Sequence, residues 1–71
     1  MERTPVQSSN LASVGYDSDS MVLEIEFIKG GIYQYFNVAS DIYDSFMSAG
    51  SKGTYFDQNI KKAGYPYNKV G

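Results

Sequence analysis

The chain has 71 residues, a net charge of −2 at pH 7, no cysteine and no histidine. These counts exclude a disulfide, and a zinc site would have to use carboxylates alone, which is unusual. The length fits one domain, residues 1–71. Seven tyrosines and four phenylalanines must supply much of its core, and such a composition is typical of a folded chain.

Charge is distributed unevenly along the chain. Two basic and seven acidic residues precede Ser45, whereas four basic residues and one acidic residue follow it. The negative net charge of the chain disfavours non-specific nucleic-acid binding. The basic C-terminal part still allows a local positively charged patch that could bind nucleic acid. The most apolar run, Met21 to Ile28, is too short to cross a bilayer, and the N-terminus lacks the apolar stretch of a signal peptide. We therefore expect a cytoplasmic protein with no membrane partner.

The first half of the chain predicts an antiparallel meander of three strands. In the second strand, Leu23, Ile25 and Phe27 alternate with Glu24 and Glu26, so that one face is buried and the other is wet. The predicted strands are Leu11–Tyr16, Met21–Ile28 and Ile32–Phe36.

Two turns connect these strands. Asp17–Ser20 consists of short polar side chains that bond their own backbone, and Lys29–Gly31 supplies the glycines of a hairpin turn. In the first strand, strict alternation places Leu11 on the face opposite Val14.

Helical spacing replaces the strand pattern after Val38. Ile42, Phe46 and Ala49 recur at helical intervals, which predicts a first helix with Ser40 as its N-cap and Gly50 at its end.

A second helix is predicted over about Tyr55–Ala63. Thr54 and Asp57 resemble a capping box, and Gly64 stops the helix. The tail from Tyr65 onward should be extended, and either adds a short C-terminal strand or packs across the sheet. The fold class is therefore α+β: a three-stranded antiparallel meander followed by two helices packed on one face, with a possible extra C-terminal strand.

An ordered set of short motifs runs through nearly the whole chain. Its residues are Ser8-Ser9, Gly15-Tyr16-Asp17, Leu23-x-Ile25-x-Phe27, Gly30, Tyr33-x-Tyr35, Val38, Ala49-x-Ser51-x-Gly53-x-Tyr55-Phe56, Ile60 and Tyr65-x-Tyr67. This set resembles the KTSC domain, a family named for the C-terminal extension of some lysyl-tRNA synthetases and also found as free-standing small bacterial and phage proteins. The resemblance covers about Val6 to Tyr67, with one departure at Ala39, where the family more often has proline. It implies a free-standing domain with a suggested link to RNA, no established activity and no catalytic residues to carry over.

No residue pattern predicts catalysis. Without His or Cys, an active site would depend on carboxylates, Lys, Ser or Tyr. Asp17 and Asp19 suit a solvated turn better than a carboxylate pair, and Glu24 with Glu26 suits the wet face of a sheet better than a metal site. We therefore expect a non-enzyme that needs no cofactor and no metal.

The C-terminal third, together with the third strand, predicts a surface for RNA or another single-stranded nucleic acid. Lysines interleaved with tyrosines suit a phosphate backbone and stacked bases. The alternatives are that the lysines only complement a helix dipole and that the tyrosines are buried. The residues of this hypothesis are Lys52, Lys61, Lys62, Tyr65, Tyr67, Lys69, Tyr33 and Tyr35.

A second hypothesis is a protein-interaction domain that binds or regulates a host or phage protein complex. Asp17, Asp19, Glu24 and Glu26 would then face a basic protein surface. Both a monomer and a homodimer agree with the sequence, since so small a sheet leaves a strand edge open.

Overall fold

A five-stranded antiparallel sheet, whose strands lie side by side in chain order, forms the framework of the protein. The computed structural model describes all residues from 1 to 71. Two α-helices and one turn of π-helix lie between the fourth and fifth strands. The elements are β1 (Thr4–Pro5), β2 (Leu11–Asp17), β3 (Val22–Phe27), β4 (Ile32–Tyr35), α1 (Ser40–Ser48), α2 (Lys52–Phe56), the π-helix (Asp57–Lys61) and β5 (Tyr67–Lys69).

The α+β class with two α-helices is confirmed, but the prediction of three strands before the helices is wrong. A fourth strand, β1, pairs with β2 so that Thr4 lies opposite Val14. This strand has only two residues, and one of them is a proline, which sheets tolerate only at their edges. So short a segment shows no strand pattern in the sequence. The tail does add a strand, β5, in which Tyr67 lies opposite Tyr35.

The strict alternation expected in β2 is also wrong. The register between β2 and β3 shifts between Leu11 and Ser13, as in a β-bulge. A bulge adds one residue to a strand and changes the face on which the next side chains lie. Leu11 and Val14, expected on opposite faces, are therefore both buried in the same core.

Both predicted turns are confirmed. The Asp17 carboxylate accepts a hydrogen bond from the backbone N–H of Asp19 at 3.0 Å. In the second turn, Gly30 and Gly31 have φ values of 112° and 93°, which side chains other than glycine rarely adopt.

The first helix differs from its prediction at both ends. It begins at Ser40, so the N-cap is Ala39, with no side-chain hydrogen bond and a φ of −66°. Proline has the same φ, so alanine leaves the backbone path into the helix unchanged. The helix ends at Ser48, and an extended Ala49 separates it from Gly50.

The second helical segment starts three residues before its predicted position and changes type. Ser51, not Thr54, is the N-cap, and its hydroxyl accepts from the Thr54 N–H at 3.4 Å. From Asp57 onward the chain forms a π-helix, closed by the Lys62 N–H donating to the Asp57 carbonyl at 3.1 Å. Such single wide turns are rare and frequently lie at functional sites.

The helices pack against one face of the sheet, and the core lies between them. The stacked rings of Tyr16 and Tyr43, 4.5 Å apart, join α1 to β2, and the Tyr16 hydroxyl donates to the Val38 carbonyl. None of the helices has the length and apolarity needed to cross a membrane. The buried core residues are Leu11, Val14, Leu23, Ile25, Tyr35, Val38, Phe46, Phe56 and Ile60.

Candidate functional site

An open groove of about 590 Å³ lies where the β3–β4 turn, β4, β5, the π-helix and the loop before β2 meet. It combines aromatic rings with lysines, and no carboxylate lines it. We call it the aromatic groove. Its lining residues are Asn10, Phe27, Lys29, Gly30, Tyr33, Tyr35, Lys61 and Tyr67.

The sheet register builds the aromatic wall of this groove. Tyr33 and Tyr35 are two residues apart on β4, so they share one face, and β5 brings Tyr67 beside both. The ring centroid of Tyr67 lies 6.1 Å from that of Tyr33 and 5.5 Å from that of Tyr35. Tyr35 is buried, Tyr33 is half-buried, and Tyr67 is 60% exposed. The wall therefore runs from the core out into solvent.

The hydrophobic core supports the wall from behind. Phe56 of α2 is buried and makes edge contacts with Phe27 at 5.5 Å and with Tyr35 at 5.4 Å. Burial first, and then the nearby Tyr67 and Tyr33, raise the pKa of Tyr35. A tyrosine hydroxyl is protonated at neutral pH in any case and can donate a hydrogen bond, and the raised pKa keeps that of Tyr35 protonated in more alkaline solution as well.

Two lysines on different elements line the groove beside this wall. Lys29 lies in the β3–β4 turn and Lys61 ends the π-helix. The chain forms two ion pairs, Arg3–Glu24 and Lys62–Asp57, and neither groove lysine belongs to them. Both ammonium groups are therefore available to an anion.

The groove brings together half of the residues predicted for nucleic-acid binding. Tyr33, Tyr35, Tyr67 and Lys61 line it. The side chain of Lys69 lies next to Gly31, close to the rim. The other three predicted residues, Lys52, Lys62 and Tyr65, do not line the groove.

Two of these three are engaged elsewhere. Lys62 forms an ion pair with Asp57 at 3.2 Å, and Tyr65 packs against the core. Sequence reasoning also missed four lining residues: Asn10, Phe27, Lys29 and Gly30. Lys29 and Gly30 are part of a hairpin signal, and only the β3–β4 register shows that this turn closes one end of an aromatic surface.

The prediction that Glu24 lies on a solvent-exposed acidic face is wrong, because Glu24 is only 6% exposed. Its carboxylate accepts from Arg3 Nη1 at 2.5 Å and from Gln34 Nε2 at 2.8 Å. Burial opposes its ionisation, but the hydrogen bonds from Gln34 and Arg3 and the charge of Arg3 outweigh this and lower its pKa. Glu24 is thus not available to a protein partner.

The N-terminal segment covers this face of the sheet, which we call the back face. A methyl group at Gly15 would lie 2.5 Å from the backbone oxygen of Glu2, so the segment crosses directly over this glycine. Arg3 Nε donates to the Ser13 hydroxyl at 3.0 Å, and that hydroxyl donates to Glu26 at 2.7 Å. The polar residues of the back face are therefore bonded to one another.

The remaining predicted acidic residues, Asp17 and Asp19, are exposed in the β2–β3 turn. Hydrogen bonds from the Ser20 side chain and then from the Asp19 backbone lower the pKa of Asp17. This is the environment of a turn-forming carboxylate. Nowhere in residues 1–71 do three potential ligands among His, Cys, Asp and Glu come together to hold a metal ion.

Comparisons with known proteins agree on one family. Residues 7–65 match the model of the KTSC domain. A KTSC domain protein of Yersinia pestis has a similar crystal structure, with a TM-score of 0.93 and 46% identity over 99% of this chain and 97% of the other. A protein of Stutzerimonas stutzeri, described only as uncharacterized, is 37% identical over 99% of both chains.

A lysine–tRNA ligase of Nostoc punctiforme is also similar, but over a small part of its length. It is 33% identical over 55 residues, which are 78% of this chain and 10% of the ligase. The match to the family model covers most of the chain and includes three of the four aromatic residues that line the groove. The chain therefore belongs to the KTSC domain family.

Proposed function

We propose that this domain is a non-catalytic binding module that holds single-stranded nucleic acid, RNA in the first place, in the aromatic groove. The observation that carries the proposal is the wall of Tyr33, Tyr35 and Tyr67 with Lys29 and Lys61 beside it. Aromatic faces next to basic side chains are the combination that single-stranded nucleic acids require.

The wall supplies the stacking part of such an interaction. Tyr67 is exposed at the sheet edge and its ring leans on Tyr35 with an interplanar angle of 31°. A base stacked on a tyrosine contributes about 1–3 kcal/mol, largely regardless of base identity. Because Tyr35 and Phe56 hold the wall in place, little side-chain ordering accompanies binding.

The lysines supply the electrostatic part. Lys29 and Lys61 are the groove's cationic residues, and Lys69 lies near its rim. Two or three phosphate contacts predict a slope of log K against log salt of only about −1.4 to −2 for a single strand. We expect modest affinity that is best measured at low salt, in keeping with a net charge of −2.

Similarity to lysine–tRNA ligases agrees with this proposal, because those proteins, by their name, act on a tRNA. The competing proposal, a basic protein partner on Asp17, Asp19, Glu24 and Glu26, loses its central carboxylate because Glu24 is buried. We therefore rank it second.

The adjacent lysines Lys61 and Lys62 provide a matched test. Both are exposed, but Lys61 lines the groove and Lys62 is paired with Asp57. Lys61→Glu should weaken binding of a labelled eight-nucleotide RNA of mixed sequence by about tenfold or more, equivalent to about 1.4 kcal/mol. Lys62→Glu makes the same change of charge outside the groove and should have a much smaller effect. Fluorescence anisotropy at 20 mM salt measures both.

Two results would overturn the proposal. One is equal weakening by the two variants, which would indicate an effect of net charge alone. The other is no change in the backbone amide signals of Tyr33, Lys61 and Tyr67 when single-stranded RNA or DNA is added at low salt. The second result would promote the basic-protein alternative.

A further inference from the structure

We infer that Asn10 makes the aromatic groove selective for bases that carry a keto oxygen, uracil and guanine, over the amino bases cytosine and adenine. This inference rests on the proposed function and adds a base preference to it. The evidence for it is the orientation of the Asn10 side-chain amide, which the surrounding hydrogen bonds determine.

Ser8 fixes which end of the Asn10 amide faces it. The Ser8 hydroxyl accepts from the backbone N–H groups of Asn10 at 3.3 Å and of Leu11 at 3.2 Å. A hydroxyl has two acceptor sites and one proton, so only its proton remains for Asn10. It donates this proton to Asn10 Oδ1 at 3.0 Å. Asn10 must therefore present oxygen, not nitrogen, to Ser8.

The first turn of α2 holds the oxygen on the same side. A methyl group added to Gly53 would lie 2.3 Å from Asn10 Oδ1 and 3.2 Å from the Ser8 hydroxyl. The oxygen of Asn10 thus packs into space that a side chain at position 53 would occupy. The lack of a side chain at Gly53 allows this placement.

The amide nitrogen is then the end of Asn10 left for a ligand. Asn10 lines the groove together with Lys29, Tyr33 and Lys61. Its Nδ2 takes part in none of the side-chain hydrogen bonds within the protein, whereas Oδ1 does. An NH₂ group donates only, and so do the two lysine ammonium groups. With the lysines directed to the phosphates, Nδ2 offers a donor to the edge of a base that lies on the aromatic wall.

Every base carries some acceptor, so the preference depends on which edge of the base faces Nδ2, and we place the exocyclic 4 position of a pyrimidine or 6 position of a purine there. At that position uracil and guanine carry an accepting keto oxygen, whereas cytosine and adenine carry a donating amino group. An amino group against Nδ2 would leave two donors unpaired. Loss of one such hydrogen bond corresponds to about tenfold in affinity.

The test compares octauridine with octacytidine, which share ring size and chain charge. We expect the protein to bind octauridine about tenfold more tightly. Asn10→Ala should lower octauridine affinity to about that of octacytidine and should not lower octacytidine affinity, so that the second RNA reports on correct folding. In ¹⁵N spectra, the side-chain NH₂ signals of Asn10 should shift with octauridine and not with octacytidine.

A second variant removes the selectivity without altering a lining residue. Gly53→Ala should push the Asn10 amide out of place at little cost, because a side-chain end yields more easily than backbone. Selectivity should fall as in Asn10→Ala. Gly50→Ala is the control, since a methyl group there meets no atom within 4 Å.

The outcomes separate this inference from the proposed function. Equal binding of the two RNAs that is still weakened by Lys61→Glu overturns the base preference and leaves the groove as a general binding site. A preference for octauridine that persists in Asn10→Ala assigns the selection to another residue and also overturns the inference. If neither RNA binds at low salt, both proposals are overturned.

Discussion

The back face and the aromatic groove use similar polar residues in opposite ways. On the back face, Arg3, Glu24 and Gln34 bond to one another under the N-terminal segment. In the groove, Lys29 and Lys61 join no ion pair and lie beside aromatic rings in contact with water. A closed network stabilises a fold, whereas unpaired donors beside apolar rings are the features of a binding site.

Strand β3 contributes to both faces. Successive side chains of β3 point to opposite faces of the sheet, so Glu24 lies on the back face and Phe27 lies on the other face, where it lines the groove. The N-terminal segment crosses this back face and supplies Arg3, the ion-pair partner of Glu24. The difference between a structural and a functional surface thus depends on which other segment covers it. Three substitutions test this comparison.

The largest effect is expected where the N-terminal segment crosses the sheet. Gly15→Ala would place a methyl group 2.5 Å from the backbone oxygen of Glu2, and a backbone atom cannot move aside cheaply. The segment should detach, with loss of the Arg3–Glu24 pair, at a total cost of about 3 kcal/mol. Urea unfolding followed by circular dichroism measures the free energy of unfolding.

Gly50→Ala is the matched control, because position 50 is exposed and a methyl group there contacts nothing within 4 Å. It should change the free energy of unfolding by less than about 0.5 kcal/mol. If Gly15→Ala proves as mild as this control, the N-terminal segment does not lie on the back face in solution.

A smaller loss is expected from Glu24→Gln, which keeps the shape of the side chain and removes its charge. Arg3 would lose its charged partner, at a cost of about 1–2 kcal/mol at pH 7. The pKa of Glu24 is lowered in the folded protein. Its contribution is therefore fully present above the unfolded value of about 4.3 and disappears as pH falls through the lower folded value.

Urea unfolding at several pH values checks this prediction. The gap in stability between the wild type and Glu24→Gln should be constant from pH 7 to about pH 5 and should narrow as pH falls below the unfolded value of about 4.3. Arg3→Leu should cost at least as much at pH 7, because it leaves the Glu24 carboxylate without its cation and also removes the hydrogen bond from Arg3 Nε to Ser13. A gap that stays open in strong acid would assign the stabilisation to packing and not to the charge of Glu24.

Patterns of period two and helical spacing were sufficient to predict β2, β3, β4 and both helical regions. They fail where a contact between distant segments decides the structure. The bulge after Leu11 and the short strand β1 depend on pairing partners that no local pattern shows. The change to a π-helix after Phe56 likewise has no local signal in composition.

The candidate site shows the same limit. Tyr33 and Tyr35 belong together by alternation alone, and Tyr67 was predicted as part of the same surface. The sequence predicts the same nucleic-acid-binding role for Lys61 and Lys62, because nothing in a sequence distinguishes two adjacent lysines. Only the turn geometry and the pairing with Asp57 separate them. Asn10 was missed because its role depends on the distant Gly53.

The smallest effect is expected at the exposed ion pair, which is the counterpart of the buried one. Asp57 and Lys62 are 3.2 Å apart, with side chains 44% and 70% exposed, against 7% for Glu24 and 27% for Arg3. Water and salt screen an exposed pair, so Asp57→Asn should cost about 0.5 kcal/mol or less, and nothing measurable in 1 M NaCl. The cost of Glu24→Gln should persist in that salt, because its pair is shielded from solvent. Equal salt sensitivity of the two variants, measured by urea unfolding, would mean that the back face is open to water, and the contrast between the two surfaces would then disappear.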